Sequence, residues 1–282
     1  MSAGRRYGVS TGLYQAQRLT RDHLREIAGA GFTHVEVRAT TTHLDYHQDR
    51  VVADLQQWLA DAGLRLWSVH APVHERAGDG RPPVPLLLAA TDAAHRARAL
   101  AQTEAALHIA RRLEFRVLVV HIGAPRHVPG GLRCSRDAAR RSLEALDRVA
   151  SPLGVRLAIE VDANDLSSPG ALVHLIEDVL DLPSVGVCLD MGHGHLAGDL
   201  LDAIETTAEH LLSVDVHDNR GRGDDHLVPF EGTIDWAAAL TTLQKVGYDG
   251  PLMFELQGRS SASAILARAR QARQQMDRLL AD

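Results

Sequence analysis

The strongest constraint on this chain is an alternation: short apolar runs rich in β-branched residues alternate with longer stretches of helical periodicity, eight times from end to end. The apolar runs lie at residues 6–11, 34–38, 66–72, 116–123, 155–161, 185–189, 211–217 and 251–256, lengths that suit buried strands. Predicted helices fill the gaps at 19–30, 49–62, 91–113, 135–150, 168–180, 199–210, 234–246 and 260–280. Thr20, Ser135 and Thr233 stand where a helix wants an N-cap oxygen. Pro169 stands at a first helical position, where its missing N–H costs nothing, and Gly29, Gly31 and Gly63 close helices. Polar or Pro/Gly-rich loops are expected at 74–85, 125–133 and 219–232. Strands that alternate with helices pair in parallel, and eight such units point to a (β/α)8 TIM barrel, one α/β domain spanning residues 1–282. The competing open, doubly wound sheet lacks its Gly-x-Gly-x-x-Gly turn after the first strand.

Composition narrows the functional classes. Asp and Glu total 36 against 30 Lys and Arg, the opposite of a chain held to nucleic acid by bulk charge, so no nucleic-acid partner is expected. No apolar stretch approaches the ~18 residues of a membrane span. The opening Met1-Ser-Ala-Gly-Arg-Arg is not followed by the apolar segment of a secretory signal. The only cysteines are Cys134 and Cys188, and Cys188 falls inside a predicted core strand, where a small buried thiol is expected rather than a disulfide. A reducing cytoplasm is the expected location. The compositional oddity is sixteen histidines.

In a parallel barrel every strand opens its carboxyl end on the same face, and the chemistry sits there. At those ends this sequence places Glu36, His70, His121, Glu160, Asp190 with His193, His217 and Glu255, and the loop after the seventh strand adds Asp224 and His226. A lone His ending a strand is usually a hydrogen-bonded loop residue, and a lone Glu a solvated surface group. Seven strands out of eight delivering such groups to one rim is much harder to accept as coincidence. Carboxylates gathered this way repel one another unless a cation neutralises them. Mixed nitrogen and oxygen ligands without thiolate suit a divalent transition metal (Zn, Mn, Fe or Co) better than Ca²⁺.

Ordered along the chain, Val69-His-Ala-Pro72, Val120-His-Ile-Gly123, Ile159-Glu160, Asp190-Met-Gly-His193, His217-Asp-Asn219, Asp224-Asp-His226 through Glu231-Gly232, and Phe254-Glu255 resemble the xylose isomerase-like TIM-barrel superfamily. That superfamily takes in sugar isomerases and epimerases, inosose dehydratase-like proteins and apurinic-site endonucleases. The stretch from His217 through Asp235-Trp236 to Tyr248-Asp-Gly-Pro251 most resembles its sugar phosphate isomerase/epimerase branch. The resemblance implies either of two metal arrangements. Epimerases hold one ion with a set that corresponds to Glu160, Asp190, His217 and Glu255. Endonucleases hold three zinc ions with further ligands that correspond to His70, His121, His193, Asp224 and His226. All nine positions carry a candidate here, so one to three ions are implied. Two departures stand out: Val161 follows Glu160 where many relatives have Asn, and Phe230 stands where Gly is frequent.

The leading functional expectation is an isomerase or epimerase of a sugar, sugar phosphate or related polyol, working through a metal-stabilised enediolate. Glu160 and Glu255 are its expected acid and base, besides being ligands. Glu36, Arg220 and Arg222 are candidate substrate-binding residues. The expected partner is a small carbohydrate, and a homo-oligomer is a further expectation. The alternatives are a multi-zinc phosphoesterase resembling apurinic-site endonucleases and a non-catalytic ligand-binding barrel.

Overall fold

A computed structural model describes residues 5–75, 83–124 and 132–281. Eight parallel strands close on themselves: β1 (Tyr7–Ser10), β2 (His34–Arg38), β3 (Arg65–His70), β6 (Val117–Val120), β7 (Arg156–Glu160), β8 (Val185–Asp190), β9 (Leu211–Val216) and β10 (Leu252–Phe254). β1 pairs with both β2 and β10, which completes the barrel. The remaining strands, β4 (His74–Glu75) and β5 (Val84–Pro85), form a short antiparallel pair inside the expected loop at 74–85. Residues 76–82 of that loop, and residues 125–131 of the expected loop at 125–133, lie outside the described residues.

The helices α1 (Arg21–Gly29), α2 (Asp49–Ala62), α3 (Ala93–Leu107), α4 (Arg136–Ala150), α5 (Pro169–His174), α6 (Met191–Ala197), α7 (Leu200–Thr207), α8 (Trp236–Lys245) and α9 (Ala262–Ala281) follow the strands. The expected punctuation operates at several of them. Thr20 and Ser135 accept from the His23 and Ala138 N–H groups, Pro169 opens α5, and Gly63 closes α2 in the left-handed region at φ 66°. At α8 the cap is Asp235 rather than Thr233: its carboxylate accepts from the Ala238 N–H, while the Thr233 hydroxyl donates to the Asn219 carbonyl. Asp92 likewise caps α3, which starts after the predicted position.

The main core lies between barrel and helices, where outward-facing Val187, Leu189, Val214 and Val216 are fully buried. Within the barrel a smaller apolar group, Val117, Val119, Ala158, Cys188 and Leu212, packs apart from it. Cys188 is buried as expected, donates to Asp215 Oδ2 at 3.2 Å, and has its thiol pKa pushed up by burial. Among the described residues no helix is long and apolar enough to cross a membrane.

Candidate metal centre and active site

The strand ends deliver their side chains to one rim. His70, Glu160 and Asp190 are the last residues of β3, β7 and β8, and His121, His217 and Glu255 stand one residue beyond β6, β9 and β10. His193 arrives by a route the sequence reading missed. The chain does not leave the sheet in a loop after Asp190 but turns at once into α6, with Asp190 as its N-cap accepting from the His193 N–H at 2.8 Å. Seven residues with two glycines carry too little apolar periodicity to signal a helix, so the carboxylate that ends the strand also starts the helix.

Four overlapping groups bring ligand atoms within 4.8 Å of one another: His70, His121 and Glu160; Asp190, His193 and His217; His217, Asp224 and His226; and Glu160, Asp190 and Glu255. All nine candidate ligands fall in at least one group. Three imidazoles are oriented by the backbone, since His70, His193 and His226 donate from Nδ1 to the carbonyls of Ala71, Val161 and Glu255 at 2.9, 2.9 and 3.0 Å. That leaves Nε2 facing the mouth, the arrangement metal-bound histidines adopt. His217 places Nε2 2.9 Å from Asp190 Oδ1, and its Nδ1 is buried without a partner. Glu160 Oε2 lies 2.8 Å from His121 Nε2 and 3.3 Å from His70 Nε2, yet it accepts no well-directed hydrogen bond. Buried polar atoms without partners are costly, and a cation between the Glu160 carboxylate and the neighbouring imidazole nitrogens would satisfy Glu160 Oε2. The donor set therefore fits a divalent metal.

The electrostatics agree. Burial alone would raise the Glu255 pKa, but the Arg38 guanidinium and His226 pull it down to about 2. Burial likewise opposes the charged form of Glu160, and His121 with the other imidazoles outweighs it, holding the carboxyl well below the usual range. Against burial, Glu160 and Asp162 push His121 up to about 10, and Asp224 pushes His226 up to about 9. Without an ion, protons on the imidazoles neutralise the carboxylates, so metal must displace them.

That displacement has a measurable sign. At pH 7, His121 and His226 are protonated in the metal-free fold, and a ligating imidazole is neutral. Metal uptake in weak buffer is expected to release protons, with apparent affinity rising tenfold or more per pH unit until pH passes about 9. For the metal-free fold, the stability these histidines add is present below 6.5 and fades as pH rises through about 9 to about 10. The Glu255 contribution is present above 4.5 and fades as pH falls toward about 2. Indicator-dye titration of metal into protein checks the first point; uptake without proton release contradicts it.

Six of the nine candidate ligands, His121, Glu160, His193, Asp224, His226 and Glu255, line a cavity of about 460 Å³ together with Val73, Leu86, Leu87 and Leu196. Of the candidate substrate residues, none lies in its lining. Glu36 is fully buried and accepts from the Ser68 hydroxyl at 2.9 Å. It sits two residues short of the end of β2, about 6–7 Å back along the strand. Arg220 and Arg222 are exposed, and Arg220 faces Asp225 at 3.8 Å. Among the described residues the guanidinium that lines the cavity is instead that of Arg38, the last residue of β2, in register with His70 of β3 and donating from Nη1 to Glu255 Oε1. The signal for it was present, because Arg38 shares the inward parity of Glu36 one layer nearer the mouth.

Asp218 was also missed as a functional support. Fully buried, it accepts from the N–H groups of Asn219, Phe230 and Ile234 and from the Trp236 indole at 2.9 to 3.2 Å, pinning both ends of the loop that carries Asp224 and His226. The same loop holds His226 and Phe230 at φ 46° and 75°, a region that glycine enters more easily than either residue. Asp218→Ala leaves several buried donors unsatisfied. It is expected to cost about 2–4 kcal/mol in a denaturant melt and to remove Asp224 and His226 from the site; a melt unchanged from wild type contradicts this.

With the fold and rim in place, the comparisons are decisive for family. The family model described as Xylose isomerase-like TIM barrel matches residues 24–281. The chain belongs to that family. It is 31% identical over 143 residues to the ketose 3-epimerase of Arthrobacter globiformis, a match covering 49% of this chain and 44% of that protein. Among solved structures, a D-tagatose 3-epimerase-like protein superposes with a TM-score of 0.78 at 23% identity, covering 98% of this chain and 97% of the other. A xylose isomerase-like TIM barrel protein from Mycobacterium smegmatis, in complex with magnesium, superposes with a TM-score of 0.74 at 16% identity, covering 99% and 97%. The expected fold and family are thus borne out.

Proposed function

We propose that this protein is a divalent-metal-dependent epimerase or isomerase of a ketose, aldose or related polyol. The observation that carries the reading is the convergence of Glu160 and Glu255 on Asp190, with ligand oxygens within 4.8 Å, from strands three places apart in the eight-stranded ring. Glu160, Asp190, His217 and Glu255 are the residues that would hold a divalent ion of the Zn, Mn, Fe, Co class or Mg²⁺, which would supply Lewis acidity to a bound sugar.

The residues of the chain do the rest. Glu160 and Glu255 flank the mouth, so one removes the proton beside the carbonyl and the other returns it. Epimerisation requires a group on each face of the carbon, because the proton leaves one face and arrives on the other. Arg38 fixes one oxygen of Glu255 and leaves the other to face the sugar. Leu86, Leu87 and Leu196 line the same cavity and give it apolar surface beside the carboxylates, which favours displacement of water by a bound sugar. The test is uptake of solvent deuterium at carbon by a panel of ketoses, aldoses, inososes and their phosphates. At least one is expected to exchange.

A second reading has its own observation. His70 and His121 gather on Glu160, and Asp224 and His226 on His217, extra ligand atoms that suit a multi-metal phosphoesterase that activates water. Its nucleic-acid form is opposed by the formal charge of −6. No deuterium uptake with any sugar, together with phosphoester cleavage, would replace the first reading by the second.

A further inference from the structure

The opposite end of the barrel holds a second concentration of charge. Arg6, Arg116 and Arg156 open onto one cavity of about 440 Å³ with Trp67 and Asp249. All three arginines precede or begin barrel strands, so this cavity lies at the amino-terminal face, away from the metal ligands. Among the described residues Asp249 is the one carboxylate in its lining.

How these cations are held is the informative point. Arg6 stacks over the Trp67 ring, its guanidinium carbon 5.5 Å from the centroid, and donates to the Asp249 carbonyl. Arg156 donates to the Pro183 carbonyl at 3.4 Å. Among the described residues neither makes an ion pair, and Arg116 has only a distant contact with Glu114 at 3.8 Å. Neutral partners thus orient two of the guanidiniums without cancelling their charge. Burial pulls the Arg156 pKa down with no carboxylate acting the other way. Behind the same wall Arg5 donates to the Tyr248 carbonyl at 2.6 Å, and two of its guanidinium nitrogens are buried without a partner. Like charges gathered in a concavity focus an attractive field for an anion.

We propose that this cavity is an anion-binding site for a small phosphate-bearing ligand, separate from the metal centre. Three guanidiniums against Asp249, with Glu114 at 3.8 Å from Arg116, leave a positive excess, and a phosphate monoester carries about −1.5 to −2 at pH 7. The planar arginine fork matches two phosphate oxygens at once. The Trp67 indole N–H, buried without a partner in the same lining, is a further neutral donor. The cavity is larger than a phosphate alone and leaves room for a compact organic body.

The test is isothermal titration of the metal-loaded protein with inorganic phosphate, glycerol 2-phosphate and glycerol at constant ionic strength. Phosphate and the ester are expected to bind saturably at one site, and glycerol is expected to show no binding. Tighter binding of the ester than of phosphate marks an organic phosphate as the ligand form; the reverse order marks free phosphate. The double variant Arg116→Met with Arg156→Met is expected to weaken binding about tenfold or more, and Arg116→Met alone, at an exposed position, by a smaller factor. Melting curves without phosphate establish that these variants are folded. Asp190→Ala, at the opposite face, is expected to leave the phosphate affinity unchanged. Absence of saturable binding overturns the proposal. So does binding that survives the double substitution and disappears in Asp190→Ala, because the anion then sits on the metal centre.

Discussion

Glu160→Gln and Glu255→Gln are each expected to lower turnover of the exchanging sugar by about 10²–10⁴-fold. The amide keeps the shape of the side chain but cannot take up a proton, so a loss of this size measures proton transfer if metal content is unchanged. The two variants differ in a second respect. Glu255 is the ion-pair partner of Arg38, whose side chain is only 15% exposed. Removing that negative charge leaves a mostly buried cation, and Glu255→Gln is expected to cost about 3 kcal/mol in stability as well. Glu160 is bordered by His121 and His193, whose raised pKa values depend on it and which can shed protons once it is gone, so its replacement is expected to be milder for the fold. If epimerisation uses one group on each face, one variant retains partial deuterium exchange while losing turnover, since the proton still leaves but is not returned to the other face. Metal analysis beside each rate separates lost chemistry from a lost ion. Wild-type turnover in both variants would remove these carboxylates from the mechanism.

Gly192→Ala is expected to damage the metal centre as severely as loss of a ligand. A Cβ at Gly192 would stand 1.9 Å from His217 Cε1 and within 2.5 Å of both ring nitrogens. The ring cannot swing away freely: it is fully buried and stacks on the His226 ring at a centroid distance of 4.1 Å. The Gly192 carbonyl also accepts from Asn219 Nδ2 at 2.9 Å, which holds the start of α6 against the loop after β9. Forcing a methyl group into this space is expected to cost about 1–3 kcal/mol and to strip most of the bound metal, with activity lost in parallel. Gly170→Ala is the control, because nothing lies within 4 Å of a Cβ there. Its metal content should match wild type and its melting temperature should not fall. Full metal occupancy in Gly192→Ala would mean that His217 is not a ligand.

The sequence alone was sufficient for the barrel and for most of its rim. A buried parallel strand is a local statement: a run of Val, Ile and Leu of the right length, stopped by Pro72 or by a polar residue such as Glu160 or Asp190. Eight such runs separated by helices leave few topologies, and parallel pairing then carries every strand end to one face. His70, His121, Glu160, Asp190, His217 and Glu255 could therefore be assigned to a common rim from their positions along the chain. Depth, partnership and space depended on residues far apart in sequence, and only the tertiary structure decided them. Glu36 and Arg38 read alike as polar residues at the end of a strand, yet one faces Ser68 below the rim and the other Glu255 in the cavity, 217 residues away. Arg220 and Arg222 lie close to His217 in sequence, but Asp218 draws the backbone between them and Trp236 into a course that leaves both in solvent. The requirement for Gly192 arises from a ring that enters the chain 25 residues later. The arginines at the far end of the barrel come from three different strand starts and meet only because the sheet closes. Periodicity is a property of neighbours along the chain and survives in the sequence; the distance between two side chains on different strands is set by closure and burial, which no local pattern encodes.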